Sequence, residues 1–189
     1  MANSQIMKEA IGAKTKELLR KQTLDKITVS GICEKTGIDR KTFYRYFKDK
    51  YEVVEWIYLH DYFEKTDATE DWNMWDYFTE VARQVYAEKE WFLNAFRSEG
   101  QNSFRDSFVK LFMPIAMEEY RECFSSEDME QFFIRNTLYM AFDAFEKWFT
   151  TSTYPSIEEF LEEFKQSCHQ FYVKTGENLQ KSIDRDETH

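Results

Sequence analysis

Hydrophobic residues recur at helical spacing along almost the whole chain. Near the N-terminus Met7, Ile11, Leu18 and Leu19 fall roughly on one stripe with basic residues elsewhere, which predicts an amphipathic helix ending near Gln22. Beyond residue 50 the same spacing predicts six more helices and a frayed polar tail. These helices span 50–65, 72–87, 89–98, 101–123, 126–152 and 156–175. The pattern therefore predicts an all-α protein.

Two short helices separated by a glycine turn are predicted between residues 28 and 50. Thr28 is placed to cap the first of them, Val29, Ile32 and Cys33 form its inward face, and Gly37 is a left-handed stop. Asp39 would then cap the next helix. The first turn of that helix holds Arg40, Lys41 and Thr42, and its inward face holds Phe43, Tyr46 and Phe47. This order of elements is that of a helix-turn-helix.

Composition agrees with long helices and an ample core. The 189 residues include only five Gly and two Pro, and 18% of them are aromatic. No apolar run approaches the roughly 20 residues of a membrane span, and the N-terminus has no apolar leader segment, so a cytoplasmic protein is expected. Cys33, Cys123 and Cys168 lie far apart, which favours reduced structural thiols over disulfides.

Charge divides the chain into two parts. Residues 1–50 hold 12 Lys and Arg against 6 Asp and Glu, a net charge of +6, whereas the remaining residues hold 13 against 29, a net charge of −16. A basic N-terminal quarter on an acidic protein is typical of polyanion binding. The residues 37–50 alone carry five cations and four aromatic rings. The cluster could be merely a solvated face, but it coincides with the predicted helix-turn-helix.

The second helix of such a motif enters the DNA major groove with its N-terminal residues toward the base edges. Here those residues are Arg40, Lys41 and Thr42, with Arg45 one turn further on. Tyr44 lies off the inward aromatic face and can offer its hydroxyl to a phosphate. The sequence therefore predicts contacts to double-stranded DNA, driven by cations released from the DNA.

The stretch ITVSGICEKTGIDRKTFYRYFKDKYEVVEWIY resembles the N-terminal domain of TetR-family transcriptional regulators over about residues 6–60. The shared pattern is Thr-Val, a short helix, a Gly turn, an aromatic Thr-x-Tyr-x-x-Phe element and a Lys before an apolar fourth helix. The segments DKITV and YEVVEWIY resemble more narrowly the dihydroxyacetone kinase regulators of that family. The resemblance implies phosphate contacts from Thr28, Thr42, Tyr44 and Lys50 and base contacts from Arg40, Lys41 and Arg45.

Two positions depart from the family pattern. Gly31 stands where an acidic residue often completes a capping box, and a Gly inside a helix costs about 1 kcal/mol. Asp39 replaces the commoner Ser as N-cap, which keeps the cap chemistry but places an anion near the DNA backbone. A softer second helix and a slightly lowered DNA affinity are expected.

The C-terminal region contains no hydrolase, P-loop, zinc-protease or dinucleotide motif, so an enzyme is not expected. The resemblance implies a homodimer through the last two long helices, reading a palindromic operator. The aromatic and aliphatic residues assigned to core plus interface are Phe132, Leu138, Tyr139, Phe142, Phe145, Phe149, Phe160, Leu161, Phe164, Cys168 and Phe171.

A small-molecule effector is expected to bind between the helices of this region. The candidate ligand residues are Trp56, His60, Trp75, Phe78, Phe108, Phe112 and Asp143. For the aromatic residues a plain core role is the alternative. His60 would be a polar contact to the effector, and Asp143, if buried, needs a pocket cation, a neighbouring donor or a helix across the dimer as its partner. No cofactor is expected, and the three histidines share no metal-ligand spacing.

These expectations combine into a two-domain reading. Residues 1–49 form a helix-turn-helix DNA-binding domain and residues 50–189 form a helical ligand-binding and dimerisation domain. The function expected is a ligand-responsive, homodimeric transcriptional regulator, most often a repressor in this family. The alternative is a co-activator that acts mainly through a protein partner.

Overall fold

The computed structural model describes residues 2–63, 71–96, 104–151 and 156–186. Over these residues the chain forms helices and no strand, which confirms the all-α prediction. The helices are α1 (Ala2–Leu19), α2 (Val29–Thr36), α3 (Arg40–Tyr44), α4 (Lys50–Tyr58), α5 (Met74–Ala87), α6 (Lys89–Phe96), α7 (Phe104–Tyr120), α8 (Glu127–Thr151) and α9 (Ile157–Asp186).

Most predicted helices are confirmed, with differences at several ends. The first helix ends at Leu19 and not near Gln22, and the helix expected over 101–123 is α-helical only to Tyr120 and continues as a 3-10 helix, Arg121–Cys123. Residues 64–65, 97–98, 101–103 and 152 of the predicted ranges lie outside the described residues. The expected helix over 50–65 is α-helical only to Tyr58, and a π-helix continues it from Leu59–Phe63. The expectation of a frayed tail beyond residue 175 is wrong, since α9 runs to Asp186. Polar pairs at helical spacing support that last part: Lys174 Nζ lies 2.9 Å from Glu177 Oε2, and the Gln180 amide donates to Asp184 over 2.8 Å.

The first three helices form a small unit, here called the head (residues 2–49). α1 packs against both α2 and α4, and α2 packs against α3. The centre of the head is mainly apolar: Ile11, Leu19, Ile32, Phe43 and Phe47 are buried. Thr15 is buried with them, and its hydroxyl donates to the carbonyl of Ile11 over 2.9 Å. Burial of these side chains, each contributing roughly 1.5–3 kcal/mol, stabilises the helix-turn-helix geometry.

α1 and α4 approach each other closely at Gly12. A Cβ atom added there would lie 2.9 Å from Cζ3 of Trp56 and 3.2 Å from Cγ1 of Ile57. Only a residue without a side chain fits this crossing. Gly12 therefore sets the distance between the first helix of the head and the helix that leads out of it.

Helices α4 to α8 form the body (residues 50–151), whose interior is aromatic. The rings of Phe78 and Phe145 are 6.2 Å apart and meet edge to face, and those of Phe108 and Phe142 are 5.3 Å apart. Such pairs contribute about 0.5–1.5 kcal/mol each beyond burial. They join α5, α7 and α8 into one core.

By its internal contacts the chain divides into two compact units, Met1–Thr150 and Thr151–His189. The expected boundary at residues 49 and 50 falls inside the first unit, because α1 packs on α4 and α6 as well as on α2. The division into head and body is thus a division by role.

The structure separates buried from exposed members of the core-plus-interface set. In the first unit Leu138, Phe142, Phe145 and Phe149 are buried, Tyr139 is half-buried, and Phe132 is 63% exposed. In the second unit Phe160 and Leu161 are buried, Phe164 and Cys168 are half-buried, and Phe171 is 64% exposed. Each unit therefore carries one large, strongly exposed aromatic residue of this set.

Two further expectations concern the whole chain. All three cysteines are free thiols, of which Cys33 is buried, Cys168 half-buried and Cys123 exposed. Among the described residues, no helix has both the length and the apolarity needed to cross a membrane.

Candidate nucleic-acid interface

Local hydrogen bonds define α2 as the sequence predicts. The Oγ1 of Thr28 accepts the backbone N–H of Gly31 over 3.1 Å, which confirms Thr28 as the N-cap. Gly37 has a φ of 75°, and its N–H donates to the carbonyl of Cys33 over 2.8 Å. This left-handed residue ends α2 and turns the chain into α3.

The start of α3 is set by Asp39. Its Oδ1 accepts the backbone N–H of Thr42 over 2.6 Å, which confirms the predicted N-cap. The same hydrogen bond from the Thr42 N–H is the main cause that holds the pKa of the Asp39 carboxyl below its usual range. Asp39 is therefore an anion in the turn that precedes the proposed reading helix.

α3 is shorter than predicted: it ends at Tyr44, so Tyr46 and Phe47, expected on its inward face, follow the helix. Phe43 and Phe47 are buried and anchor the helix, whereas Tyr46 is half-buried. The outward residues Arg40, Lys41, Tyr44 and Arg45 are exposed, and Thr42 is half-buried. α3 and its C-cap residue Arg45 thus carry three cations and a phenol to the surface.

Arg40 and Tyr44 form a unit on this surface. An Nη2 N–H of Arg40 donates to the Tyr44 hydroxyl over 3.2 Å, and the guanidinium lies 5.8 Å from the centre of the Tyr44 ring. Because Tyr44 is 49% exposed, its hydroxyl remains accessible from solvent. The hydrogen bond to Tyr44 raises the pKa of Arg40. One turn of helix thereby presents a planar donor and a hydroxyl, the groups that read base edges and phosphates.

Lys50, the first residue of α4, has partners that the sequence did not indicate. Its Nζ donates to the backbone carbonyls of Leu24, Asp25 and Ile27 over 2.8, 3.2 and 2.9 Å. An ammonium has three N–H donors, so these three carbonyls use all of them. The phosphate contact implied for Lys50 therefore competes with three contacts inside the head.

An apolar cavity lies in the body, and it brings together only two of the candidate ligand residues. The lining side chains are Tyr58, Phe78, Val81, Ala82, Val85, Phe108, Phe142 and Phe145. The space between them has room for roughly one water molecule. Phe78 and Phe108 are the two candidates that line it. The other lining residues of α5 lie at i+3, i+4 and i+7 from Phe78, a spacing visible in the sequence.

Three other candidates, Trp56, His60 and Asp143, are not among the residues that line this cavity. The ring of Trp56 stacks on that of His60 at 4.5 Å and also meets Phe47 of the head. His60 is 7% exposed and contacts the side chains of Gln5 and Asp61 over 2.6 and 3.1 Å. Trp56 and His60 therefore belong to the packing of α4 on α1.

Asp143 lies on the surface and its carboxylate is paired with a neighbouring helix. Its side chain is 54% exposed and accepts two hydrogen bonds from the guanidinium of Arg105, over 2.8 and 2.9 Å. The guanidinium also lies 4.2 Å from the centre of the Tyr139 ring. Trp75 is half-buried beside Phe78, and Phe112 is buried with its ring 4.5 Å from that of Phe108. These two residues form a second layer behind the cavity wall.

A polar cluster joins the head to the body, and the sequence analysis missed it. Glu88, at the end of α5, is its centre: Oε2 lies 2.7 Å from Lys16 Nζ and accepts the Tyr62 hydroxyl and the Trp91 indole N–H over 2.8 and 2.7 Å. Lys16 Nζ also lies 3.2 Å from Asp61 Oδ2. Helical spacing does not bring Lys16 together with Asp61, Tyr62 or Glu88, because these residues are far apart in the sequence.

The described residues contain no group of three His, Cys, Asp or Glu side chains placed to hold a metal ion.

Comparison with known proteins places this geometry in context. Residues 11–57 match the family model of bacterial regulatory proteins of the tetR family. The HTH-type dhaKLM operon transcriptional activator DhaS of Lactococcus lactis subsp. lactis (strain IL1403) is 32% identical over 75 residues, a match that covers 40% of this chain and 40% of that protein. The sequence match thus spans less than half of the curated relative.

Solved structures share the fold over most of the chain. The dihydroxyacetone kinase operon activator DhaS superposes with a TM-score of 0.62 at 18% identity and covers 89% of this chain and 97% of its own. A TetR transcriptional regulator from Streptococcus agalactiae 2603V has a TM-score of 0.54 at 19% identity, with coverages of 86% and 93%. At such identities the likeness establishes the fold, an all-α helix-turn-helix protein with a helical C-terminal region.

Proposed function

We propose that this chain, whose residues 11–57 belong to the tetR family of bacterial regulatory proteins, is a DNA-binding regulator of transcription. The observation that carries the proposal is the outward face of α3, where Arg40, Lys41 and Arg45 are exposed beside Tyr44 while Phe43 anchors the helix from below. Such a face delivers cations to phosphates and a planar guanidinium to base edges. Bacterial chromosomal DNA, and hence the cytoplasm, is its proposed place of action.

The proposed DNA contacts are Thr28, Arg40, Lys41, Thr42, Tyr44 and Arg45. Selection of duplexes from a randomised pool, followed by fluorescence anisotropy at several salt concentrations, tests them. We expect a selected sequence with inverted symmetry and an affinity that falls steeply with salt, with a slope of about −0.9 for each phosphate contacted. An affinity that stays low and independent of salt would instead favour a co-activator working through a protein partner.

We propose that the regulator is a homodimer formed through α8 and α9. The exposed aromatic residues Phe132 of α8 and Phe171 of α9 support this, since each is more than half exposed although large and apolar. A dimer presents two reading helices about 34–36 Å apart, one turn of DNA, which suits a palindromic operator. Sedimentation of the full chain with and without the selected duplex measures the stoichiometry.

We further propose that a small apolar effector binds the cavity of the body. Tyr58 of α4 forms one wall of this cavity and Phe78 of α5 another. Because the cavity has room for only roughly one water molecule, an effector must separate these helices. α4 packs directly on α1, so a shift of α4 changes the position of the head.

A panel of apolar and amphipathic metabolites, added during DNA titration, tests effector control. The matched variant Ala82→Leu adds a side chain to the cavity wall. We expect it to retain DNA affinity and lose the response to any active compound. A response that survives this substitution would place the effector elsewhere.

Whether this chain activates or represses transcription would depend on where its operator lies relative to the promoter. The two DhaS relatives are named as activators, whereas the family resemblance by itself favours repression. In vitro transcription from a template with the selected site either upstream of the promoter or overlapping it measures whether this chain raises or lowers transcript yield.

A further inference from the structure

We infer that Lys50 is a positioning residue, which holds the start of α2 in place for DNA binding and makes no phosphate contact of its own. This inference rests on the proposed DNA-binding function. It assigns to Lys50 a role different from the one that the family resemblance implies, and it does so from the three hydrogen bonds of its ammonium group.

The carbonyls that Lys50 contacts surround the end of a short 3-10 helix, Leu24–Lys26. The last carbonyls of a helix carry the negative end of its dipole, which favours a cation there. Of the three, Leu24 O also accepts the backbone N–H of Ile27 over 3.1 Å. The Nζ of Lys50 lies within hydrogen-bond distance of Leu24 O, Asp25 O and Ile27 O. One cation therefore satisfies three carbonyls that converge on a single point.

This contact lies immediately before the proposed phosphate-binding end of α2. Thr28 follows Ile27 directly and caps α2 through its Oγ1. From the inside, the same segment is held by the buried side chains of Leu24 and Ile27. Lys50 adds hydrogen bonds to the backbone of the same segment. The residue before Thr28 is thus fixed both by a buried side chain and by a bonded carbonyl.

The attachment also ties two helices that are far apart in sequence. Lys50 is the first residue of α4, whose N-cap Asp49 accepts the backbone N–H groups of Tyr51 and Glu52 over 2.9 Å each. The beginning of α4 is thus rigid, and through Lys50 the beginning of α2 is bound to it. A movement of α4 would carry Thr28 along with α3.

The alternative role makes a different electrostatic prediction. A lysine that neutralises a phosphate releases a counterion, so its removal reduces the salt slope of DNA binding by about 0.9. A lysine whose N–H donors are used inside the protein only positions the neighbouring DNA-binding residues and releases no counterion. Its removal therefore lowers DNA affinity by a similar factor at every salt concentration. The slope therefore distinguishes the two roles.

The experiment compares Lys50→Met with the full-length wild type, using a duplex that the wild type selects from a randomised pool. Lys41→Met, which removes an exposed cation of α3, is the matched control. Between about 50 and 200 mM salt we expect Lys50→Met to bind about tenfold more weakly with an unchanged slope, and Lys41→Met to reduce the slope by about 0.9. A slope reduced by the same amount in Lys50→Met would overturn the inference.

Two further measurements decide the role of Lys50 even if Lys50→Met folds poorly. Lys50→Arg keeps the charge, but the N–H groups of a guanidinium lie in one plane and cannot address three converging carbonyls. We expect weaker binding for this variant too, and wild-type affinity would overturn the inference.

The second measurement needs no DNA. The backbone N–H of Gly31 is held by Thr28 Oγ1, so in Lys50→Met we expect faster hydrogen exchange at Gly31 while amides of α5 are unchanged. An unchanged exchange rate at Gly31 would count against Lys50 as a positioning residue. A wild-type chain that selects no duplex would overturn the proposed function instead, and the exchange measurement would still decide the role of Lys50.

Discussion

The Nζ of Lys16 lies 2.7 Å from Oε2 of Glu88, and this ion pair joins α1 of the head to the end of α5 in the body. The same α5 forms a wall of the apolar cavity through Phe78 and Val85. A displacement of α5 by an effector would therefore move a carboxylate that is bonded to the head. The pair links the two functional parts of the first compact unit.

Glu88→Gln should destabilise the protein by about 1 kcal/mol, since a hydrogen-bonded charge is lost at a site that is only partly screened by solvent. Urea unfolding at neutral pH measures this. Glu118→Gln is the matched control, because Glu118 pairs with Arg121 on an exposed surface where such pairs contribute little. If both substitutions lower the free energy of unfolding equally, the contacts of Glu88 contribute no more to stability than an exposed ion pair does.

The effect of Glu88 should depend on pH. Burial alone would raise the pKa of the Glu88 carboxyl, but hydrogen bonds from Lys16, Tyr62 and Trp91 outweigh burial and hold it below its ordinary value of 4.5. A lowered pKa in the folded state stabilises the protein above the ordinary value, and this stabilisation is lost as pH falls through the lowered one. The difference in unfolding free energy between wild type and Glu88→Gln should therefore shrink below pH 4.5. A difference that stays constant well below pH 4.5 would contradict the proposed ionisation.

The same Gly→Ala change should have opposite effects at two positions. At Gly12 the new Cβ would lie 2.9 Å from the Trp56 ring, so we expect destabilisation by about 1–3 kcal/mol. At Gly31 the nearest atom, Thr28 Oγ1, is 3.5 Å away, so we expect stabilisation of up to about 1 kcal/mol from higher helix propensity. Thermal unfolding of both variants measures the signs, and two shifts in the same direction would refute this account.

Asp39→Asn should tighten DNA binding. Asn caps a helix about as well as Asp, so α3 keeps its first turn. The substitution removes an anion that lies one residue before Arg40, in a region that faces phosphates in the proposed complex. Fluorescence anisotropy should show a few-fold higher affinity with an unchanged melting temperature. Weaker binding at equal stability would mean that the Asp39 carboxylate itself contributes to recognition.

Phe132→Arg should weaken the homodimer at least about tenfold, or 1.4 kcal/mol, because it places a charge in the proposed apolar interface. Phe132 is 63% exposed in the single chain, so the substitution should leave the fold of the monomer intact. Ile6→Arg is the control, since Ile6 is 59% exposed but belongs to the head. Sedimentation equilibrium measures both, and an unchanged dimer in Phe132→Arg would exclude this part of α8 from the interface.

The helix-turn-helix could be predicted from the amino-acid pattern, because the interactions that form it act between residues close together in the chain. Thr28 and Asp39 cap the amides three residues onward, and Gly37 adopts its left-handed backbone where α2 ends. Phe43 and Phe47 are buried because their spacing places them on one face of the chain. Each of these features is decided within a few residues, so each was predicted correctly.

Only the tertiary structure decided which distant groups meet. Three sets of contacts depend on how the helices pack: the three carbonyls that bind Lys50, the carboxylate that pairs with Lys16, and the four helices that line the cavity. The same dependence turned Asp143 outward to Arg105 and placed His60 against α1. Helical periodicity states which side of a helix is apolar, but a contact between helices also requires their distance and crossing angle, which close packing at residues such as Gly12 sets.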